Sequence, residues 1–393
     1  MVKHVLPIIV FSQFCCTSLW FAGNAVLSDL ANNFQLPDSA LGHLTSAVQF
    51  GFIIGTLVFA MLTIADRFSP SKVFGVCALL GAGFNALSVL DNNTFTSLFL
   101  LRFATGFCLA GIYPVGMKIA ADYFERGLGK SLGYLVGALV LGTAFPHLLK
   151  GMELGLPWKQ VILTTSILAV LGGLLLASFV PNGPFRRASQ KVKLSTCFLI
   201  FKKKNFRAAA FGYFGHMWEL YTFWAFIPVV LLRYSEDYLI APINSSLWAF
   251  FIIGSGSIAC VLGGYWSKRV GAKTVAISAL KVSGLCCLFF PVIYHLSDGQ
   301  GSRVLFLSFL LLWGMTVVAD SPMFSTLVAS YAPPANKGTA LTIVNCIGFA
   351  ITILSIQLIS ALMEVMDFEY VFVLLGLGPM AGLIAARQVK ISD

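Results

Sequence analysis

Twelve times along its length the chain runs apolar for about 20 residues, the length a helix needs to cross the hydrocarbon core of a bilayer. The runs are 5–29, 41–65, 72–91, 94–121, 128–149, 157–181, 207–232, 245–266, 273–296, 304–330, 338–363 and 369–387. Inside a bilayer every backbone amide must find its partner within the protein, which a helix achieves locally. The expected fold is therefore an all-α membrane protein with 12 transmembrane helices. Composition agrees, with 58% hydrophobic and 11% charged residues and a mean hydropathy of +0.86. Soluble domains are about half apolar and a quarter charged. The first run is long and has no small-residue cleavage site, so it reads as a retained helix and not as a signal peptide.

Several function classes lose support at once. No separate soluble domain of useful size interrupts the runs. The nine cysteines stand singly or as the doublets Cys15–Cys16 and Cys286–Cys287, with no CxxC pair, so neither a disulfide framework nor a metal site is expected. Gly254–Ala259 matches GxGxxA in letters, but it lies inside a membrane run and follows no strand. No paired nucleophile and base appears, so the chain is not expected to be an enzyme or to carry a cofactor.

Charge sets the expected topology. With the N-terminus in the cytoplasm, about 19 Lys and Arg residues fall on the inner side, against Lys150, Lys159, Arg233 and Arg303 on the outer side. Both termini are then cytoplasmic, in a plasma or inner membrane. The net charge of +10 reports this asymmetry, and no nucleic acid is implied. The long segment 182–206 holds many of the basic residues and divides the chain into an N-terminal half, 1–181, and a C-terminal half, 207–393. Its apolar stretch Leu194–Phe201, followed by Lys202, Lys203 and Lys204, suits either an interfacial segment on anionic lipid or a plain tether.

The halves also repeat. A shift of 201 residues lays Leu19 and Trp20 on Leu220 and Tyr221, Arg67 on Lys268, Lys72 on Lys273 and Arg102 on Arg303. Internal repeats with a binding site near the midplane are the build of secondary transporters.

Polar residues within the runs point to chemistry. An acid at the centre of a membrane helix costs roughly 2.5–3.5 kcal/mol on insertion scales, so such residues usually face a cavity or a partner. Glu219 is one, in the seventh run, with His216 one turn before it and Trp218, Tyr221 and Trp224 around it. The spacing puts His216 and Glu219 on one helix face, where they can exchange a proton or share a ligand. The alternative is that Glu219 is a buried residue paired with His216 or a neighbouring helix. Arg102 in the fourth run can receive an anion or a carboxylate, or can spend itself on backbone carbonyls. Asp320, in the cytoplasmic half of the tenth run and followed by Pro322, reads either as a second coupling acid or as a helix end facing water. Lys118 and Asp122, at i, i+4, read as a surface ion pair.

The loops add a family resemblance. Asp66-Arg67-Phe68-Ser69-Pro70-Ser71-Lys72 after the second run resembles the signature loop of the major facilitator superfamily, and the segment Gly263 to Lys273 resembles its second copy. Ser69 and Pro70 replace the usual Gly-Arg, and Ser267 replaces the second acid. Arg102 with Gly106, and Gly133 with Gly142 and Pro146, resemble the superfamily's motifs on the fourth and fifth helices, the latter without its final Gly-Pro pair. The resemblance implies two six-helix halves around a central site lined by helices one, four, seven and ten. On those runs lie Gln13, Trp20, Asn24, Arg102, Tyr113, His216, Glu219, Tyr221, Trp224, Trp313 and Asp320. It also implies that Asp66, Arg67, Lys72, Lys268, Arg269 and Lys273 belong to gating loops. The glycines of helices two, five and eight, such as Gly51, Gly55, Gly142 and Gly263, would form the contact between halves.

The expected protein is a secondary transporter working by alternating access, a monomer that moves a small-molecule substrate with protons. Sodium remains open as the coupling ion. Burial raises a carboxyl group's pKa in general, which suits proton uptake and release near neutral pH. Glu219 would carry the proton, with His216 as relay and Asp320 as second acid. Arg102 would anchor a small organic anion, and Gln13, Trp20, Asn24, Tyr113, Tyr221, Trp224 and Trp313 would line the site. Symport of such an anion or metabolite is one expectation. Proton-coupled efflux of hydrophobic or cationic compounds is the alternative, and a sensor or scaffold of the same fold is the alternative from another class.

Overall fold

The computed structural model describes residues 2–37, 39–124, 128–152, 156–186, 200–238, 242–297, 302–333 and 337–387. Most of Leu194–Phe201 and the basic residues Arg126, Arg187, Lys191, Lys193 and Lys390 lie outside them. Among the described residues there is no strand. The chain divides into two compact units, Met1–Leu194 and Ser195–Asp393.

In the first unit, α1 (Val2–Thr17) gives way at Ser18–Phe21 to the short α2 (Ala22–Ala25) and α3 (Leu27–Phe34). The following helices are α4 (Ala40–Met61), α5 (Ile64–Arg67), α6 (Pro70–Leu87), α7 (Phe95–Leu109), α8 (Tyr113–Tyr123), α9 (Leu128–Gly151) and α10 (Trp158–Phe179). The second unit holds α11 (Lys204–Tyr238), α12 (Ser245–Val270), α13 (Ala272–Leu296), α14 (Arg303–Ala319), α15 (Ser321–Tyr331), α16 (Lys337–Leu362) and α17 (Phe368–Val371). A 3₁₀ turn (Phe372–Gly376) then leads into α18 (Leu377–Ala386).

By length and composition ten helices can cross a membrane, and His4–Thr17 is a shorter apolar one. The 35-residue α11 is set apart by the polar side chains it carries. The protein is an integral, multi-pass membrane protein.

The two units share one internal plan. In the first, α4 packs along α7, α6 along α10, and α1 against α9 and α10. In the second, α12 packs along α14, α13 along the 3₁₀ turn and α18, and α11 against α16 and α18. The fourth membrane segment of each unit is broken in the middle, at 110–112 and at Asp320. Pro114 and Pro322 are the cause: each is the second residue of the new helix, where it leaves a carbonyl one turn earlier without an amide partner. This equivalence needs a longer shift than 201. Arg102 lies well inside α7 while Arg303 opens α14, so the two arginines matched by the shift of 201 occupy different depths.

Close packing within each unit accounts for several of the glycines. A Cβ at Gly51 or Gly55 would collide with the backbone of Phe103 or Phe107 in the same unit, and one at Gly142 with Phe14 and Thr17. Gly263 approaches Ala319 and Val275. These glycines let helices within one unit approach, as small residues do in membranes. Gly271 instead makes a turn possible, because its φ of +84° swings the chain from α12 into α13, a conformation that L side chains rarely adopt.

Candidate functional site

Glu219 sits on the buried face of α11, only 1% exposed. Its carboxylate is met by three neutral donors. Trp313 Nε1 of α14 donates to Oε1 at 2.6 Å, Cys287 Sγ of α13 donates to the same oxygen at 3.4 Å, and Ser283 Oγ donates to Oε2 at 3.0 Å. Ser283 and Cys287 are four residues apart, so α13 presents both from one face. The Trp313 indole is fixed by the rings of Phe223, Phe290 and Phe309, at centroid distances of 4.6, 5.7 and 5.9 Å. Among the described residues no Lys, Arg or His lies within ion-pair distance of Glu219.

One turn earlier on α11, His216 looks elsewhere. Its Nδ1 is 2.7 Å from Asp320 Oδ1, and both side chains are fully buried. Its Nε2 has no hydrogen-bond partner among the described residues. Asp320 is the joint between α14 and α15, and its carbonyl accepts the amides of Met323 and Phe324. The water-facing reading of Asp320 therefore fails: it is a buried acid at a helix break. The expected pairing of His216 with Glu219 is replaced by two neighbouring groups, each with its own partners.

In the first unit Arg102, 3% exposed, is held by the break in α1. Its Nη2 donates to Trp20 O at 2.6 Å and Leu19 O at 3.3 Å, and its Nη1 donates to Asn85 Oδ1 at 3.1 Å. The carbonyls are available because residues 18–21 leave the helical ladder. Asn85 Nδ2 reaches Ile162 O, Thr165 and Ser166 of α10 at 3.1, 3.3 and 2.9 Å. The anion-anchor role expected for Arg102 thus meets a guanidinium already engaged with backbone. Arg102, Asn24 and Ser88 border a void of about 10 Å³, about the space of one water. Asn24 donates to Thr45 at 2.7 Å. Gln13 is wholly buried, with Gly116 of α8 making room for its Oε1, and neither amide atom has a partner among the described residues.

The aromatic residues expected at a site each pack within their own unit. Trp20 packs on Phe52 at 4.9 Å, Tyr221 lies between Trp224 and Phe349 at 5.2 Å from each, and Tyr113 is partly buried at the start of α8. In the loop between α4 and α6, Lys118 pairs with Asp66 at 2.9 Å and lies 3.8 Å from Asp122, so it ties the loop to α8 and is more than a surface i, i+4 pair. Arg186 donates to the carbonyls of Asp66 and Phe68 at 2.7 and 2.8 Å. Arg67 and Lys72 are exposed. In the second copy Lys268 and Arg269 are exposed, Lys273 is partly buried, and Ser267 bonds back to Gly264 O.

Sequence reasoning passed over Asn85, Ser283, Cys287 and His147. Asn85 stands alone in an apolar run, which was signal enough. Ser283 and Cys287 form a polar pair at helical spacing among apolar residues. His147 is 1% exposed, with neither ring nitrogen partnered among the described residues.

The family model of the Major Facilitator Superfamily matches residues 9–356. The chain belongs to the Major Facilitator Superfamily. Among solved structures it is similar to the proton:xylose symporter XylE, with a TM-score of 0.75 at 14% identity over 98% of this chain and 94% of the other. It is also similar to a mutant of the nucleoside transporter NupG, with a TM-score of 0.70 at 16% identity over 98% of both chains. These likenesses show the fold. In sequence it is 28% identical over 137 residues to a "Probable L-galactonate transporter" of Escherichia coli (strain K12), which is 34% of this chain and 30% of that protein. An uncharacterized MFS-type transporter of Bacillus subtilis (strain 168), YfhI, is 26% identical over 283 residues, covering 68% of this chain and 65% of the relative. The matched regions span less than half the length of the first curated relatives.

Proposed function

We propose that this superfamily member is a secondary transporter that moves a small hydrophilic organic solute together with protons, and that Glu219 carries the coupling proton. One observation carries the reading: a fully buried carboxyl group met by three neutral donors and, among the described residues, by no cation. Such a group can alternate between charged and neutral forms without leaving a stranded counter-charge. Ser283 makes the alternation structurally simple. Its hydroxyl, a donor to Glu219 Oε2 at 3.0 Å, lies also 3.3 Å from Leu280 O. When Glu219 takes up a proton, Ser283 turns its hydrogen to Leu280 O and accepts the new O–H in exchange, since a hydroxyl serves as both donor and acceptor.

His216 and Asp320 form a second buried pair one turn away, at the break of the tenth membrane segment. A helix joint whose two acid–base partners lie on different helices is suited to sense protonation and to bend. The reading as symport draws support from the fold shared with a proton symporter and from the sequence likeness to a sugar-acid transporter. Arg102, bound to backbone, lends no weight to an anionic substrate over a neutral one.

The test is uptake in proteoliposomes under an imposed proton gradient, with L-galactonate, D-xylose and nucleosides as first probes, in wild type and Glu219→Gln. Proton-driven accumulation should vanish in the variant, while solute exchange without a gradient should persist. Full accumulation in a folded Glu219→Gln protein would remove Glu219 from the mechanism.

A further inference from the structure

A groove of the first unit has a volume of about 880 Å³ and is bounded by α4, α6 and α7. That is within the ~300–1,000 Å³ of small-molecule sites. Its walls are apolar and aromatic, including Phe59, Phe84, Phe103 and Phe107. Val76 and Leu80 of α6 also line it and are more than half exposed, so on a membrane helix this flank faces lipid. From Lys72 to Phe84 the groove follows α6 for about 18 Å at 1.5 Å per residue. Half the thickness of a ~30 Å hydrocarbon core is close to that length.

The mouth of the groove has the opposite character. Arg67, Ser69 and Lys72 stand there, with Phe68, 61% exposed, beside them. The nearby acids are already engaged: Lys118 lies 2.9 Å from Asp66 and 3.8 Å from Asp122. Among the described residues neither Arg67 nor Lys72 pairs with a carboxylate. The mouth therefore carries two exposed cations at the head of an apolar channel one leaflet long.

We propose that this groove binds an anionic phospholipid of the surrounding bilayer, its phosphate held between Arg67 and Lys72 and an acyl chain laid along Val76, Leu80 and Phe107. A free phosphate would use the cations and leave the walls empty. A zwitterionic lipid would use the walls and bring its own positive charge to the mouth. The anionic lipid matches both, since basic residues near a membrane surface attract anionic headgroups.

The test compares phosphatidylglycerol, phosphatidylcholine and inorganic phosphate added to the purified full chain in detergent. Thermal unfolding and native mass spectrometry are read in parallel. Phosphatidylglycerol should raise the melting temperature by several degrees more than phosphatidylcholine, and from an equal mixture of the two it should dominate the first lipid adduct. The Arg67→Gln/Lys72→Gln variant should lose that preference. Leu80→Trp, which fills the groove without touching a charge, should lose the adduct. Equal stabilisation by the two lipids, a preference that survives both variants, or stabilisation by inorganic phosphate alone would overturn the proposal. If the double variant does not fold, the wild-type competition and Leu80→Trp still decide it.

Discussion

At the scale of single residues, the buried polar groups sort by what answers them. Glu219 is answered by neutral donors, Asp320 by an imidazole, and Arg102 by carbonyls and an amide. Replacing Arg102 with Met would strand buried acceptors at Leu19, Trp20 and Asn85, and unsatisfied buried groups cost about 1–3 kcal/mol each. A melting temperature lowered by several degrees, measured in detergent with solute exchange retained in the surviving folded fraction, is the expected result. Trp313→Phe keeps the ring packing and removes the 2.6 Å hydrogen bond, an interaction of about 1.5–3 kcal/mol when the acceptor is charged. Proton-driven uptake should fall about 10-fold or more while unfolding temperature changes little, a split that a purely packing role for Trp313 would not produce. Glu219 was readable as a candidate because an acid inside an apolar run stands out. Its partners were not, because Ser, Cys and Trp are ordinary in membrane helices and only the fold brings α13 and α14 to them. His216 shows the limit of helical spacing as a guide, since sharing a face with Glu219 left it free to reach Asp320.

At the scale of elements, boundaries followed hydropathy and joints followed proline. Ten membrane-length helices coincide with apolar runs, but the break in α1 at Ser18–Phe21 had no proline to announce it. What stabilises that break is Arg102, distant in sequence. Glycine placement yields a paired test. A Cβ at Gly106 would strike the backbone of Val48, whereas one at Gly83 meets nothing within 4 Å. Gly106→Ala should force α4 from α7 and destabilise by about 1–3 kcal/mol, the usual cost of overpacking. Gly83→Ala should be neutral or stabilise by up to about 1 kcal/mol through helix propensity. Similar effects for both, by thermal unfolding, would mean that α4 and α7 are not held at that crossing.

At the scale of the whole molecule, the repeated plan was legible as a faint sequence offset, while the true equivalence lay in the two proline joints. Insertions between helices had shifted the register, so a single offset could not follow it. Topology is open to direct test. The eight cysteines among the described residues are all buried, so a cysteine placed at exposed Phe68 in a Cys197→Ser background gives one reactive thiol. A membrane-impermeant maleimide should label it in inside-out vesicles and spare it in intact cells. The reverse pattern would invert the orientation that the Lys and Arg distribution implies.

The surroundings of Glu219 have a consequence for spectroscopy. When protonated, its carboxyl group is a carboxylic acid shielded from water and touched by one indole, one thiol and one hydroxyl in fixed positions. An acid in so uniform a setting has a narrow infrared carbonyl band, separate from those of the surface acids and indifferent to salt. Under the proposed role of Glu219, the protein carries its own vibrational label, and the loading of that proton can be followed over time with no substrate in the sample.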